Sequence, residues 1–279
     1  MNTSEDSNLQ LAITGDINAF QALFAAFQQQ LKSYLYRLVA DRNDAEDLAH
    51  DTFIKAFSNI KSFRGDASLK TWVFRIATNL AYDHLKQWHR WPVTVKTQAK
   101  DLCMNTPAVL NKVMEASRAA GENDFEIRNH IDMCFTCMGK TLVIEKQVVL
   151  ILKDVYDFPI KEIALIIEKT ADVVKHLLQD AREIMTDIFE SRCALINKNG
   201  VCHQCSELNG MFNPKQNLQE ELNKLELTKD SKKYNRDQLY ELRTLLVKTI
   251  DPLRIKGADL LEVLMKCDRM VMGEIPIPS

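Results

Sequence analysis

Two sets of residues in this chain of 279 have the types and spacing to do chemistry. The first begins with Asp44, Glu46, Asp47 and Asp51, offset as far as residue 60 only by Lys55. A basic run follows at once: residues 61–90 hold Lys61, Arg64, Lys70, Arg75, Lys86 and Arg90 against Asp66 and Asp83. Phe63, Trp72, Phe74, Tyr82, Trp88 and Trp91 lie among or beside those cations. Cations hold a phosphate backbone, and aromatic faces stack on unpaired bases at roughly 1–3 kcal/mol per base. The chemistry implied is binding, with a protein partner on the acidic side and nucleic acid on the basic side. It needs neither a nucleophile nor a general base, so no enzymatic activity is expected.

The second set is made of thiols. Seven cysteines include two C-x-x-C pairs, Cys134/Cys137 and Cys202/Cys205, with His130 four residues before the first and His203 inside the second. Zinc takes four nitrogen or sulfur ligands in a tetrahedron. One zinc ion held by Cys134, Cys137, Cys202 and Cys205, with His130 as an alternative ligand, would staple the end of the chain to its middle. A thiol–disulfide switch and a set of small buried hydrophobes are the competing readings. Cys103, Cys193 and Cys267 have no partner in sequence and read as structural.

Helices must position both sets. Ala45, Leu48, Ala49, Phe53, Ala56, Phe57 and Ile60 recur at helical spacing and place Asp47, Asp51 and Lys55 on the opposite face. Leu69, Val73, Ile76, Ala77 and Leu80 do the same for a second helix, leaving Lys70, Arg75, Asn79 and Lys86 outward. Only 8 Gly and 7 Pro interrupt the chain, and sustained two-residue alternation is scarce, so the expected class is all-α. The amino terminus, MNTSEDSNLQ, lacks a signal-peptide pattern, and no apolar run nears the roughly 20 residues of a membrane span. A cytoplasmic location is expected. The net charge of −2 excludes nothing, because the two runs cancel.

The segment DAEDLAHDTFIKAF, followed by FRGDASLKTWVFRIATNLAYDHLK, resembles region two of the extracytoplasmic-function (ECF) sigma factors of bacterial RNA polymerase. GDINAFQALFAAFQQQLKSYLYRLVADRND before it is similar to the family's opening helices, so the resemblance covers residues 10–90. It implies that Asp44, Glu46, Asp47 and Asp51 contact core RNA polymerase. It also implies that Arg64, Ser68, Lys70, Trp72, Arg75 and Asn79 contact promoter DNA at the minus-ten element, which this loop and helix open. The partners implied are core polymerase and promoter DNA, and the family pattern leaves room for an anti-sigma factor.

Residues 91–124 read as a linker, polar and broken by Pro92 and Pro107, with a short helix ending near Gly121. Residues 125–192 read as helix, break at Phe158-Pro159, helix, turn near Lys169-Thr170, helix, which is a helix-turn-helix layout. That unit resembles region four of the same family, with Lys175, His176, Gln179 and Arg182 placed to reach DNA. It departs from the family pattern at Leu177 and Asp180, where basic residues are usual. Four basic residues face six acids over residues 158–187, which would weaken a phosphate contact.

Residues 193–279 form an extension outside the resemblance. Residues 217–238 read as a charged helix and exposed linker. Leu239, Leu242, Leu246 and Ile250 make one apolar stripe, and Leu260, Leu261, Leu264 and Met265 another, both suited to core packing. The expected function is promoter-specific initiation as a sigma factor. The alternative is a metal- or redox-sensing regulator that binds core polymerase but restrains promoter use.

Overall fold

The computed structural model describes residues 3–120, 126–195, 199–212, 233–255 and 258–278. Among them the chain is helical throughout, apart from turns and one isolated bridge between Cys193 and Cys202. None of these helices is long and apolar enough to cross a membrane.

The first unit is built from α1 (Thr3–Thr14), α2 (Ile17–Ala25), α3 (Gln28–Val39), α4 (Arg42–Ser58) and α5 (Leu69–Leu85). Local sequence sets the breaks. Asp16 caps α2 by accepting from the amides of Asn18 and Ala19, at 2.8 and 3.1 Å. Ala40 turns left-handed (φ 61°) to end α3, and Asp41 then caps α4 through the Asp44 amide at 3.0 Å. Ser68 caps α5 through the Thr71 amide at 3.1 Å, so α5 starts just beyond the Arg64–Ala67 turn. Phe20, Phe24, Phe53 and Phe57 pack together on the inner faces of α2 and α4.

Within the stretch expected to be a linker, residues 91–120 hold two helices. α6 (Val95–Asn105) and α7 (Pro107–Ala120) bury Val95, Ala99, Val109 and Val113. Pro107 opens α7, where a missing amide costs nothing, so it marks a helix start and not a break. The expected helix end at Gly121 lies outside the described residues.

The second unit follows the expected layout. α8 (Ile127–Gly139) precedes α9 (Ile144–Leu150), which runs on into a π-helical turn (Ile151–Val155). α10 (Ile160–Ile167) and α11 (Ala171–Arg192) are joined by a tight turn in which Glu168 is left-handed (φ 55°) and Thr170 caps α11. α12 (Gln204–Phe212), α13 (Arg236–Lys248) and α14 (Ala258–Val271) complete the chain. The charged segment expected over residues 217–232 lies outside the described residues.

The extension is part of the core. Leu239, Val247, Ile250, Leu260, Leu261 and Met265 are buried, and one apolar cluster runs from Ala12 through Phe74, Phe158 and Val174 to Met265. Buried ion pairs tie the pieces together. Arg37 on α3 meets Asp132 on α8 at 2.6 Å and donates to the carbonyls of Val247 and Ile250 beyond. Lys96 on α6 pairs with Asp268 on α14, and Lys140 donates to Glu274 at 3.3 Å while lying 4.2 Å from the Trp91 ring centroid.

Candidate nucleic-acid interface

The turn before α5 and the outer face of α5 form an open pocket of about 590 Å³, lined in part by Arg64, Gly65, Trp72, Arg75 and Asn79. Gly65 takes a left-handed φ of 77°, a conformation that suits glycine and lets the turn double back. Trp72 packs on Phe63 with centroids 5.5 Å apart, so its indole is a fixed, half-buried wall. Arg64 and Asn79 are exposed at the rim.

The remaining three candidates on this face are engaged within the chain. The Ser68 hydroxyl is occupied as the α5 cap and with the Thr71 hydroxyl at 2.8 Å. The Lys70 ammonium sits 4.8 Å from the Phe158 ring centroid, and burial pulls its pKa down, with Glu162 opposing. Arg75 pairs with Glu168, the residue that ends α10.

On α4, Glu46, Asp47, His50 and Asp51 are exposed in a stripe that continues to Ile54, 49% exposed, and Lys55. An acidic helix face with an uncovered isoleucine suits a basic partner with an apolar spot. Asp44 is a correction to the expected set. It is half-buried, 3.6 Å from His84 Nε2 and 3.1 Å from Arg269 Nη2, and the bond to His84 and the Arg269 charge hold its carboxyl below the usual range against burial. It joins the extension to α4 and does not face outward with the others.

In α11, Lys175, His176 and Gln179 are exposed. Lys175 pairs with Asp172 at 3.0 Å. Arg182 is a second correction. Its guanidinium forks onto buried Asp154 at 2.9 and 2.5 Å, and Tyr240 of α13 donates to the same carboxylate at 2.8 Å. A bidentate pair of this kind holds α11 to the π-helical turn and removes Arg182 from easy reach of a phosphate. Lys175, Gln179 and Arg182 line one side of an open groove of about 980 Å³, and Arg236, Tyr240 and Lys248 on or beside α13 line the other.

The thiols are regrouped. His130, Cys134, Cys193, Cys202 and Cys205 line one cavity, with His130 Nδ1 3.1 Å from Cys205 Sγ and Arg243 Nη2 3.5 Å from Cys193 Sγ. The Cys193–Cys202 bridge closes the turn, with Cys202 N donating to the Arg192 carbonyl at 2.8 Å. A Cβ on Gly200 would fall 2.8 Å from that carbonyl, so only glycine fits. Cys137, expected in the set, does not line that cavity and is buried beside the Asp268 and Lys96 charges instead. Residues three apart on a helix are rotated by about 60°, enough to send Cys134 and Cys137 to different neighbours. Cys193 stands where Cys137 was expected. Burial pushes the Cys134 thiol up to about 12, and burial with the nearby Lys96 charge pulls His130 down to about 3, so the imidazole is neutral. Among the described residues, no three His, Cys, Asp or Glu side chains already stand as a group able to hold a metal.

Sequence reasoning missed Arg269, Glu162, Glu168 and Cys193. Only Cys193 left a usable signal, its position before Asn199-Gly200 and the second C-x-x-C. The others are single charges whose partners lie 91–228 residues away.

Comparison with known proteins falls on the same region. The sigma-70 region 2 family matches residues 23–91. The RNA polymerase sigma-H factor of Pseudomonas aeruginosa is 38% identical over 87 residues, 31% of this chain and 45% of that protein. The ECF RNA polymerase sigma-E factor of Haemophilus influenzae is 39% identical over 87 residues, 31% of this chain and 46% of that one. The ECF RNA polymerase sigma factor SigX of Bacillus subtilis is 28% identical over 159 residues, 56% of this chain and 76% of that protein. The chain thus spans about half the length of the first two relatives. The first unit, with its acidic α4 and its pocket at the head of α5, is a sigma-70 region 2 domain of the kind found in ECF sigma factors.

Proposed function

We propose that the chain is a sigma factor that recruits core RNA polymerase and opens promoter DNA. The observation that carries this reading is the placement of two surfaces on one packed helical unit. Glu46, Asp47, Asp51 and Ile54 are exposed on α4, and the Arg64–Trp72–Asn79 pocket opens at the adjacent α5. The acidic stripe docks on a basic element of the polymerase. The pocket takes a base that has left the duplex, with Trp72 as the wall against which it stacks. Unstacking costs a few kcal/mol, and capture in a fitted pocket offsets it. The chain itself supplies binding and positioning, and the polymerase does the chemistry. Lys175, His176 and Gln179 on α11 add the upstream DNA contact of a helix-turn-helix.

The same reading puts this protein in the cytoplasm with the polymerase and gives the thiol cluster a structural zinc ion. Cys134, Cys193, Cys202 and Cys205 would be the ligands and His130 the alternative. The donor set supports it: four thiols and a neutral imidazole line one cavity. Zinc would draw them inward and displace their protons.

The test is recruitment. Purified chain added to core polymerase on a promoter library should yield run-off transcripts, and Trp72→Ala should abolish them while leaving core binding intact. Core binding without transcripts would contradict the reading.

A further inference from the structure

A second cavity, of about 80 Å³, is enclosed by α6, α7, α8, α12 and α14. It shares Lys96 and His130 with the thiol cavity but none of the cysteines there. Its wall is mostly apolar and rich in sulfur, with Met104, Met133, Met211, Val113, Leu208 and Leu264. All of these residues lie beyond residue 91, where the region 2 match ends.

Two buried charges interrupt that apolar wall. Lys96, 5% exposed, donates to Oδ2 of Asp268, 1% exposed. The other carboxylate oxygen, Asp268 Oδ1, is buried and makes no hydrogen bond among the described residues. The Cys137 thiol is close to the carboxylate, but a thiol is a weak donor. A buried carboxylate oxygen without a donor is costly, so the site gains from a group that supplies one. Burial raises the Asp268 pKa accordingly, against the Lys96 charge. The Lys96 ammonium carries three N–H groups, so it can serve a second acceptor beside Asp268.

We propose that this cavity binds a small neutral phenol, whose hydroxyl donates to Asp268 Oδ1 and accepts from Lys96. The charges select a neutral ligand: ammonium and carboxylate cancel, and an ion would be left unpaired in an apolar wall. A hydroxyl donates and accepts at one atom, as the two groups require. The ring suits the methionines, because thioether sulfur makes favourable contacts with aromatic rings. Size sets the upper limit. A rigid apolar cavity of about 150 Å³ holds benzene. Here Met104, 54% exposed, and exposed Met211 stand at the mouth, and unbranched thioether side chains re-pack to admit a single ring. Lys100 and Glu207, paired at 2.8 Å, add no net charge to the wall.

The experiment uses the full chain under reducing conditions, labelled with ¹³C at the methionine methyls, and phenol and toluene as probes. The two probes have nearly the same shape, and only phenol has the hydroxyl. Methyl signals of Met104, Met133 and Met211 are assigned by Met104→Leu, Met133→Leu and Met211→Leu and followed by NMR as each probe is added. Phenol should shift these three saturably and leave Met185, buried on α11, in place. Toluene should bind at least about tenfold more weakly, the factor a hydrogen bond to a charged group supplies. Ala99→Leu puts a bulkier side chain into the wall and should remove the phenol shifts, with a thermal melt to show that it folds. If it does not fold, the wild-type comparison of phenol with toluene decides. No saturable shift, equal affinity for toluene, or equal shifts at Met185 would overturn the proposal. So would unchanged phenol binding in folded Ala99→Leu.

Discussion

Arg269, close to the end of α14, donates its Nη2 to Asp44 at 3.1 Å, joining the last helix to the head of α4. The same guanidinium reaches Asp41, the α4 cap, and donates its Nε to Glu274 at 3.1 Å. Asp41, Arg269 and Glu274 are all buried. The extension is thus anchored beside the proposed polymerase-docking helix by one residue with three carboxylates.

Removing that residue should be costly, because it strands buried carboxylates. Arg269→Ala is expected to destabilise the chain by about 3–5 kcal/mol, the range for breaking a buried pair by deleting one partner. Thermal and urea denaturation would measure it. A loss near that of a surface pair, about 0–1 kcal/mol, would mean the anchor carries no load.

Acid tests the same anchor. The folded-state pKa of Asp44 lies below the ordinary carboxylate value of 3.8, so its contribution is complete above 3.8 and is lost as the pH falls through the lowered value. Exchange protection of α14 should therefore not fall through loss of the Asp44 bond between about pH 5 and pH 8. Asp44→Asn should lower protection at pH 5 as well as at pH 8, because the carboxyl is ionised at both. A penalty that vanished at pH 5 would show that Asp44 is already protonated there.

The α4 stripe makes a sharper demand. Asp47→Lys and Asp51→Lys reverse exposed charges that pair with nothing in the described contacts, so stability should change by only about 0.5 kcal/mol. Core polymerase affinity should fall at least about tenfold, as like charges meet across the interface. Asp44→Asn should weaken core binding less than either reversal. Equal core affinity for wild type and both reversals would remove α4 as the docking face.

Much of this was legible in the chain. The apolar stripes of α4 and α5 and the break at Phe158-Pro159 are local signals, and local signals survive translation into structure. Of the expected linker, the short helix before Gly121 corresponds to α7, whereas α6 was missed because Pro92 and Pro107 were read as breaks. The site residues divide by the same logic. Exposure of Asp47, Arg64 and Asn79 follows from helical phase or turn position. The capture of Asp44, Arg75 and Arg182 depends on Arg269, Glu168 and Asp154, which approach only when the chain closes on itself. No spacing rule reports a partner so far along the sequence.

The thiols show that limit most clearly, and they can be tested. If zinc is bound under reducing conditions, metal analysis should find about one ion per chain, the stoichiometry of a four-ligand site. Cys193→Ser should lose it, and Cys137→Ser should keep it. Loss in Cys137→Ser with retention in Cys193→Ser would restore the pairing read from sequence. Wild-type chain without metal would leave the cluster as packing around Arg243 and Phe189.

The role proposed for this chain, turning core polymerase into a promoter-specific enzyme, is read out by run-off transcription on a promoter library. Discrete transcripts that require the chain and disappear with Trp72→Ala are predicted. Tight binding to core polymerase with no start-site-specific transcript would contradict the account.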